Sequence, residues 1–179
     1  MKISSLNELY CLQLGELHYS ESHVLQGAPL LRESCLNRRL RDTVIRFTVE
    51  TQGRLFRLEK VIHLLDINPH IHQSAAIDGF MLDLTRLLQA DISPPILDSA
   101  LVSIVQRISQ SMIAAYGSVR TLAELLKHYN VADSLQLSLN ELRDLNQTLM
   151  GLSERTLNKA VMTSARNESL LVPSLCDTK

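Results

Sequence analysis

The chain has 179 residues, enough for one domain with its own core, and 45% of them are hydrophobic. A net charge of −1 leaves no basic face for nucleic acid and no acidic tail for a polyelectrolyte partner, and 4% aromatics with no Trp exclude base-stacking platforms and aromatic cages. Cys11, Cys35 and Cys176 are widely spaced with no CxxC pair, which argues for reduced thiols over a disulfide framework or a structural zinc site.

Pro29, Pro69, the Pro94-Pro95 pair and Pro173 divide stretches that carry a helical apolar period and no strand-like alternation. The first predicted helix starts at Ser5, whose side chain can cap it with Glu8 three residues on, and runs to Gln26; Gly27 and Pro29 end it. The second starts near Ser34 or Asn37 and reaches Leu65, with Leu40, Val44, Phe47, Thr51, Leu55, Leu58, Ile62 and Leu65 on one face. A third, short helix covers residues 73–89. The fourth opens at the double proline, which suits a first helical turn, and carries Leu97, Leu101, Ile104, Ile108, Ala115, Val119, Leu122 and Leu126. The fifth spans residues 132–159, with Leu135, Leu139, Leu142, Leu145, Leu149 and Leu152 at three- and four-residue steps.

This order predicts an all-α fold: an up-and-down four-helix bundle over residues 1–160, with the short helix in the crossover and a mobile tail over residues 161–179. Gly53, Gly79 and Gly117 fall inside predicted helices, where each costs about 1 kcal/mol relative to Ala, and are expected at close helix–helix approaches. No run approaches membrane-spanning length and MKISSLNELY has no signal-like apolar core, so the expectation is a cytoplasmic protein with no membrane partner.

Glu21 carries the most information. It falls in the apolar stripe of Leu14, Leu17 and Val24, and a carboxylate buried there costs several kcal/mol unless it is paired, hydrogen-bonded or bound to a metal. It is expected to be held by Gln52, Ser109 or His18, or neutralised by a raised pKa; the alternatives are a ligand in a weak mononuclear site or an exposed position on a rotated helix. His70 and His72 lie in a loop where solvated histidines are ordinary, and Arg38-Arg39-Leu40-Arg41-Asp42 reads as a solvated helix face.

Several strings in order resemble the YciE/YciF family of ferritin-like proteins over about residues 3–155: Ser20-Glu21-Ser22-His23, Glu50-Thr51-Gln52-Gly53 with Arg57-Leu58-Glu59, Ala76-Ile77-Asp78-Gly79-Phe80, Asp98-Ser99-Ala100-Leu101 and Ile113-Ala114-Ala115-Tyr116-Gly117. The resemblance implies a di-metal carboxylate site in the bundle core, built from single Glu residues and Glu-x-x-His pairs. Glu21 matches the first-helix ligand. The second-helix pair falls on Val49 and Gln52, the fourth-helix acidic segment reads Ser109-Gln110-Ser111-Met112, and the fifth-helix cluster thins to Asn140-Glu141-Leu142 with Asp144 nearby. Ile45, Val49, Gln52 and Phe56 are expected to form one inward stripe, with Met112 filling space where a carboxylate would stand.

The expectation is a degenerate site with vestigial candidates Glu21, Glu50 and Glu141, no metal, no cofactor and no catalytic residue. The expected role is that of a non-catalytic bundle acting by self-association as a homodimer or by binding another protein, in the bacterial stress setting the resemblance implies. The alternative is a metal-binding oxidase, peroxidase or iron-handling protein with a non-standard site. Surplus apolar positions, such as Ile45 beside Val44 and Leu64 beside Leu65, are the basis for the homodimer.

Overall fold

The computed structural model describes residues 3–68 and 72–154, together with Met162. Among them are five helices and no strand: α1 (Leu6–Ser34), α2 (Arg38–Leu64), α3 (Ala75–Gln89), α4 (Pro94–Leu125) and α5 (Tyr129–Leu152). Apart from Met162, the expected tail lies outside the described residues, as do the last residues of the predicted fifth helix.

Local signals account for most boundaries. Ser5 Oγ accepts from the Glu8 amide at 3.1 Å, and Glu8 reaches back to the Ser4 amide at 2.7 Å. Asn37 Oδ1 caps α2 by accepting from the amides of Arg39 and Leu40. Both α2 and α4 end in a left-handed residue, Asp66 at φ 51° and Lys127 at φ 63°, with the next amide bonding back to Ile62 and Ala123 in turn.

The first helix overruns its expected end at Gln26 by eight residues. Pro29 lies on the exposed side, so its missing donor falls toward solvent, while Ala28, Leu31 and Cys35 stay buried and hold the last turns. Gly27 closes against Met81: a methyl group there would stand 2.9 Å from the Met81 sulfur. At Gly15 a side chain would overlap the ring of His72, which brings the end of the α2–α3 connection onto α1; His70 lies outside the described residues.

The helices α1 and α2 form one hairpin and α4 and α5 the other, with α1 packed on α4, α2 on α5, and α3 lying against α1 and α4. Asp98, near the start of α4, accepts from the amides of Leu36 and Asn37 in the α1–α2 turn at 2.9 and 2.8 Å. At the other end the ring of His128, after α4, meets Tyr10 near the start of α1. Packed neighbours among the four long helices are therefore antiparallel, and α3 carries the chain across so that α2 and α4 run the same way. Tyr19 in α1 donates to Asp78 in α3 at 2.7 Å, and Arg107 in α4 donates to Asp83 in α3 at 3.0 Å. The core between the hairpins is aliphatic, around Leu14, Leu17, Leu40, Leu101, Leu142 and Leu145.

The glycine reading needs correction. A methyl group at Gly53 would meet only Arg57 of its own helix, at 3.6 Å, and nothing lies within 4 Å at Gly79 or Gly117 among the described residues. Internal packing does not ask for glycine at these three positions.

Candidate functional site

The inner face of α2 repeats Val44, Phe47, Thr51, Arg54, Leu58 and Val61, all buried. Arg54 thus projects its guanidinium into the middle of the bundle, toward α1. There it meets Glu21, and both side chains have no exposed surface. Arg54 Nε donates to Glu21 Oε1 at 2.6 Å, and Tyr116 of α4 donates its hydroxyl to the same oxygen at 2.7 Å. Arg54 Nη2 donates to Thr51 Oγ1 at 2.7 Å. The ring of Phe47 lies 5.5 Å from the guanidinium carbon.

On the α5 side, Glu141 Oε2 lies 3.6 Å from Arg54 Nη1 and accepts from Arg57 Nη2 at 2.5 Å. Arg57 Nε donates to Ser138 Oγ at 3.1 Å. Glu50 stands at the edge of this network, with Oε1 3.6 Å from Arg46 Nε. Among the described residues, Glu21 Oε2, Glu50 Oε2 and Arg54 Nη1 are buried without a hydrogen-bond partner.

Burial pushes the Glu21 carboxyl above the ordinary range, against the pull of the Arg54 charge and of its two hydrogen bonds. Burial opposes the charge on Arg54 most strongly, but the charge and hydrogen bond of Glu21, joined by Tyr116 and Glu141, together raise the pKa of the guanidinium. Tyr116 is held well above its usual value, first by burial and then by Glu21, so it remains a neutral donor. Glu50 is raised too, mainly by burial.

The expected partners of Glu21 are therefore replaced: its hydrogen bonds come from Arg54 and Tyr116. Gln52 is exposed, and the Ser109 hydroxyl donates to the Gln106 carbonyl instead. The expected inward stripe also turns outward, with Ile45 at 44%, Val49 at 62% and Phe56 at 57% exposure. The inward pair three residues apart is Thr51 and Arg54, two residues along from Val49 and Gln52. Ser109 and Met112 do face inward and are buried. Of the three vestigial candidates, Glu21 and Glu141 flank the guanidinium, and Glu50 stands beside them.

Arg54, Tyr116 and Arg57 were missed. The signal for Arg54 was present: it lies three residues after Thr51 and four before Leu58, the same spacing test that singles out Glu21.

A di-metal centre needs several anionic oxygens converging on open space, with imidazole completing the shell. Here a fixed organic cation stands between the carboxylates, and among the described residues no three of His, Cys, Asp and Glu gather as a metal-holding set. The residues present do not fit the metal pair that the sequence resemblance implied.

Residues 5–162 match the family described as a domain of unknown function, DUF892. The chain belongs to this family. Protein YciF of Escherichia coli K12 is 22% identical over 167 residues, 92% of this chain and all of that protein. Solved structures share the fold of this chain. The Escherichia coli stress protein YciF superposes with a TM-score of 0.82 at 22% identity, covering 88% of this chain and 99% of the other. YcfI of Rhodopseudomonas palustris, for which a structural role has been put forward, superposes with a TM-score of 0.77 at 27% identity, covering 83% and 94%. No helix among the described residues of this DUF892 chain is long and apolar enough to cross a membrane.

Proposed function

We propose that this chain is a non-catalytic, ferritin-like bundle in which an internal Arg54–Glu21 ion pair takes the place of a metal centre, and that it acts through its surface as a cytoplasmic homodimer. The observation that carries the reading is the guanidinium of Arg54, held from an inward position of α2 against Glu21 and Glu141 in the middle of the bundle. Arginine stays charged under all ordinary conditions, donates in five fixed directions and accepts nothing. A divalent ion brought between Glu21 and Glu141 would face that fixed positive charge. The guanidinium has no redox chemistry, so the arrangement stabilises a packing and leaves no open coordination position.

The names of the neighbours point the same way, to stress and structural roles. We infer a bacterial stress setting for this chain on that likeness, since a shared fold alone does not carry function. The exposed apolar residues of α2 support action by self-association.

The test is metal content and Fe²⁺ oxidation of protein purified from cells supplied with iron and manganese. Protein without stoichiometric transition metal and without ferroxidase or peroxidase activity is expected. About two tightly held metal ions per chain, the stoichiometry of a carboxylate-bridged pair, would overturn the reading.

A further inference from the structure

Where α1 and α4 pack together, the first turn of α3 covers the groove between them and leaves a half-open cavity of about 130 Å³. It shares no residue with the ion-pair network. The space suits a small organic molecule, since an engineered apolar cavity of about 150 Å³ holds benzene. Leu17, Ile77, Met112 and Val119, all buried, give it an apolar inner surface.

The polar part of the wall is rich in acceptors. Ser20, only 5% exposed, commits its hydroxyl hydrogen to the Glu16 carbonyl at 2.7 Å, and Ser118 commits its own to the Ala114 carbonyl at 3.1 Å. Both hydroxyls can therefore offer the cavity only lone pairs. Gln13 Oε1 is buried with no hydrogen-bond partner among the described residues. Of the described residues that line the cavity, only Glu16 carries a full charge. Gln13, Glu16 and Ser20 stand at three- and four-residue steps on one face of α1, so their acceptors converge.

We propose that this cavity binds a primary ammonium group carried on a short aliphatic body. An ammonium brings three donors and no acceptor, which complements a wall of acceptors, and its hydrogen bonds are strengthened by its charge. The aliphatic body covers the apolar inner surface. An alcohol of the same size brings one hydrogen to the same acceptors, and a carboxylate meets Glu16 as a like charge. The start of α3, where Ser74 makes no side-chain cap bond, contributes a partial positive charge of roughly half a unit, less than the full negative charge on Glu16. This site needs neither the non-catalytic reading nor self-association, and its failure leaves both as they stand.

Isothermal titration calorimetry and thermal unfolding of the full chain at low ionic strength test this, with n-butylammonium chloride as the probe. Wild type should bind it at a single saturable site per chain and unfold at a higher temperature in its presence. Two controls, 1-butanol without charge and tetramethylammonium without N–H, should each bind about tenfold or more weakly. Glu16→Gln should weaken n-butylammonium by about tenfold or more. Ser111→Leu, which fills the cavity from α4, should abolish saturation. Glu59→Gln, the same chemical change on the exposed side of α2, should leave binding unaltered. Glu16 is only partly buried, so its variant remains readable if Ser111→Leu fails to fold. A wild type with neither saturable heat nor a raised midpoint would overturn the inference, as would binding that survives Glu16→Gln. Equal binding of tetramethylammonium would overturn the donor pairing, and equal binding of 1-butanol would overturn the demand for charge.

Discussion

Arg54 on α2 and Glu21 on α1 form a salt bridge at 2.6 Å in which neither side chain has any contact with solvent. Two charges withdrawn from water are expensive, and their mutual attraction offsets that cost only with close geometry and further hydrogen bonds. Tyr116 on one side and Thr51 on the other supply those bonds. The pair links the first hairpin internally, and Tyr116 and Glu141 extend it to the second.

The pair governs the outcome of substitution. Without Arg54, Glu21→Gln would be neutral or mildly stabilising, since it removes a buried charge and keeps hydrogen bonding. With Arg54 present the sign reverses: Glu21→Gln strands a buried guanidinium and should cost about 3–5 kcal/mol in chemical denaturation. Replacing both partners, as Glu21→Gln with Arg54→Met, should recover most of that loss. A double variant that lost the sum of the two single effects would show that the two residues do not act as a pair.

Asp98 should be nearly as sensitive, though it lies far from the ion pair. It is buried and accepts both free amides of the α1–α2 turn, so it joins the start of α4 to the first hairpin. Asp98→Ala leaves those amides unsatisfied and should cost about 1–3 kcal/mol by urea unfolding. Asp98→Asn keeps one acceptor oxygen and should lose less.

Stability should fall as the pH rises above the ordinary carboxyl range. Burial raises the pKa of Glu50, and of Glu21, above the values of the unfolded chain. Between the unfolded and folded values the native state holds more protons, so the unfolding free energy declines with increasing pH. Glu50→Gln should flatten that decline and raise the thermal midpoint at neutral pH. An unfolding free energy that rises over this window would contradict the shift.

Metal binding should be creatable only at the inward register. Thr51→Glu with Arg54→His and Met112→Glu places a Glu-x-x-His pair and a further carboxylate on faces that point into the bundle, where Glu21 already stands. Added Mn²⁺ should raise the thermal midpoint of this variant, because a ligand bound only by the native state stabilises it. Val49→Glu with Gln52→His, the register read from sequence, puts both groups in solvent and should give no such shift.

Much of the fold is legible in the residues alone because it is local. Capping by Ser5 and Asn37, the double proline in the first turn of α4 and the leucine spacing of α5 each act within a few residues, and the helices they specify are present. The inward position of Glu21 was legible for the same reason. Its partner was not, because Arg54 stands 33 residues away on another helix. A charged residue in an apolar stripe becomes tolerable only when a second charge faces it.

The same division explains α2. Its sequence carries two stripes, one through Val44, Phe47, Thr51, Arg54 and Leu58, the other through Ile45, Val49 and Phe56. The family resemblance puts the metal-facing side on the second stripe, through Val49 and Gln52, and the folded chain turns that stripe outward. By itself the sequence determined five helices, their order and a carboxylate facing the core, since periodicity and caps are properties of a single segment. Only the tertiary structure decided which face of α2 meets α1 and α5. That choice depends on joint packing and on the Glu21–Arg54 attraction, neither of which exists until the helices come together.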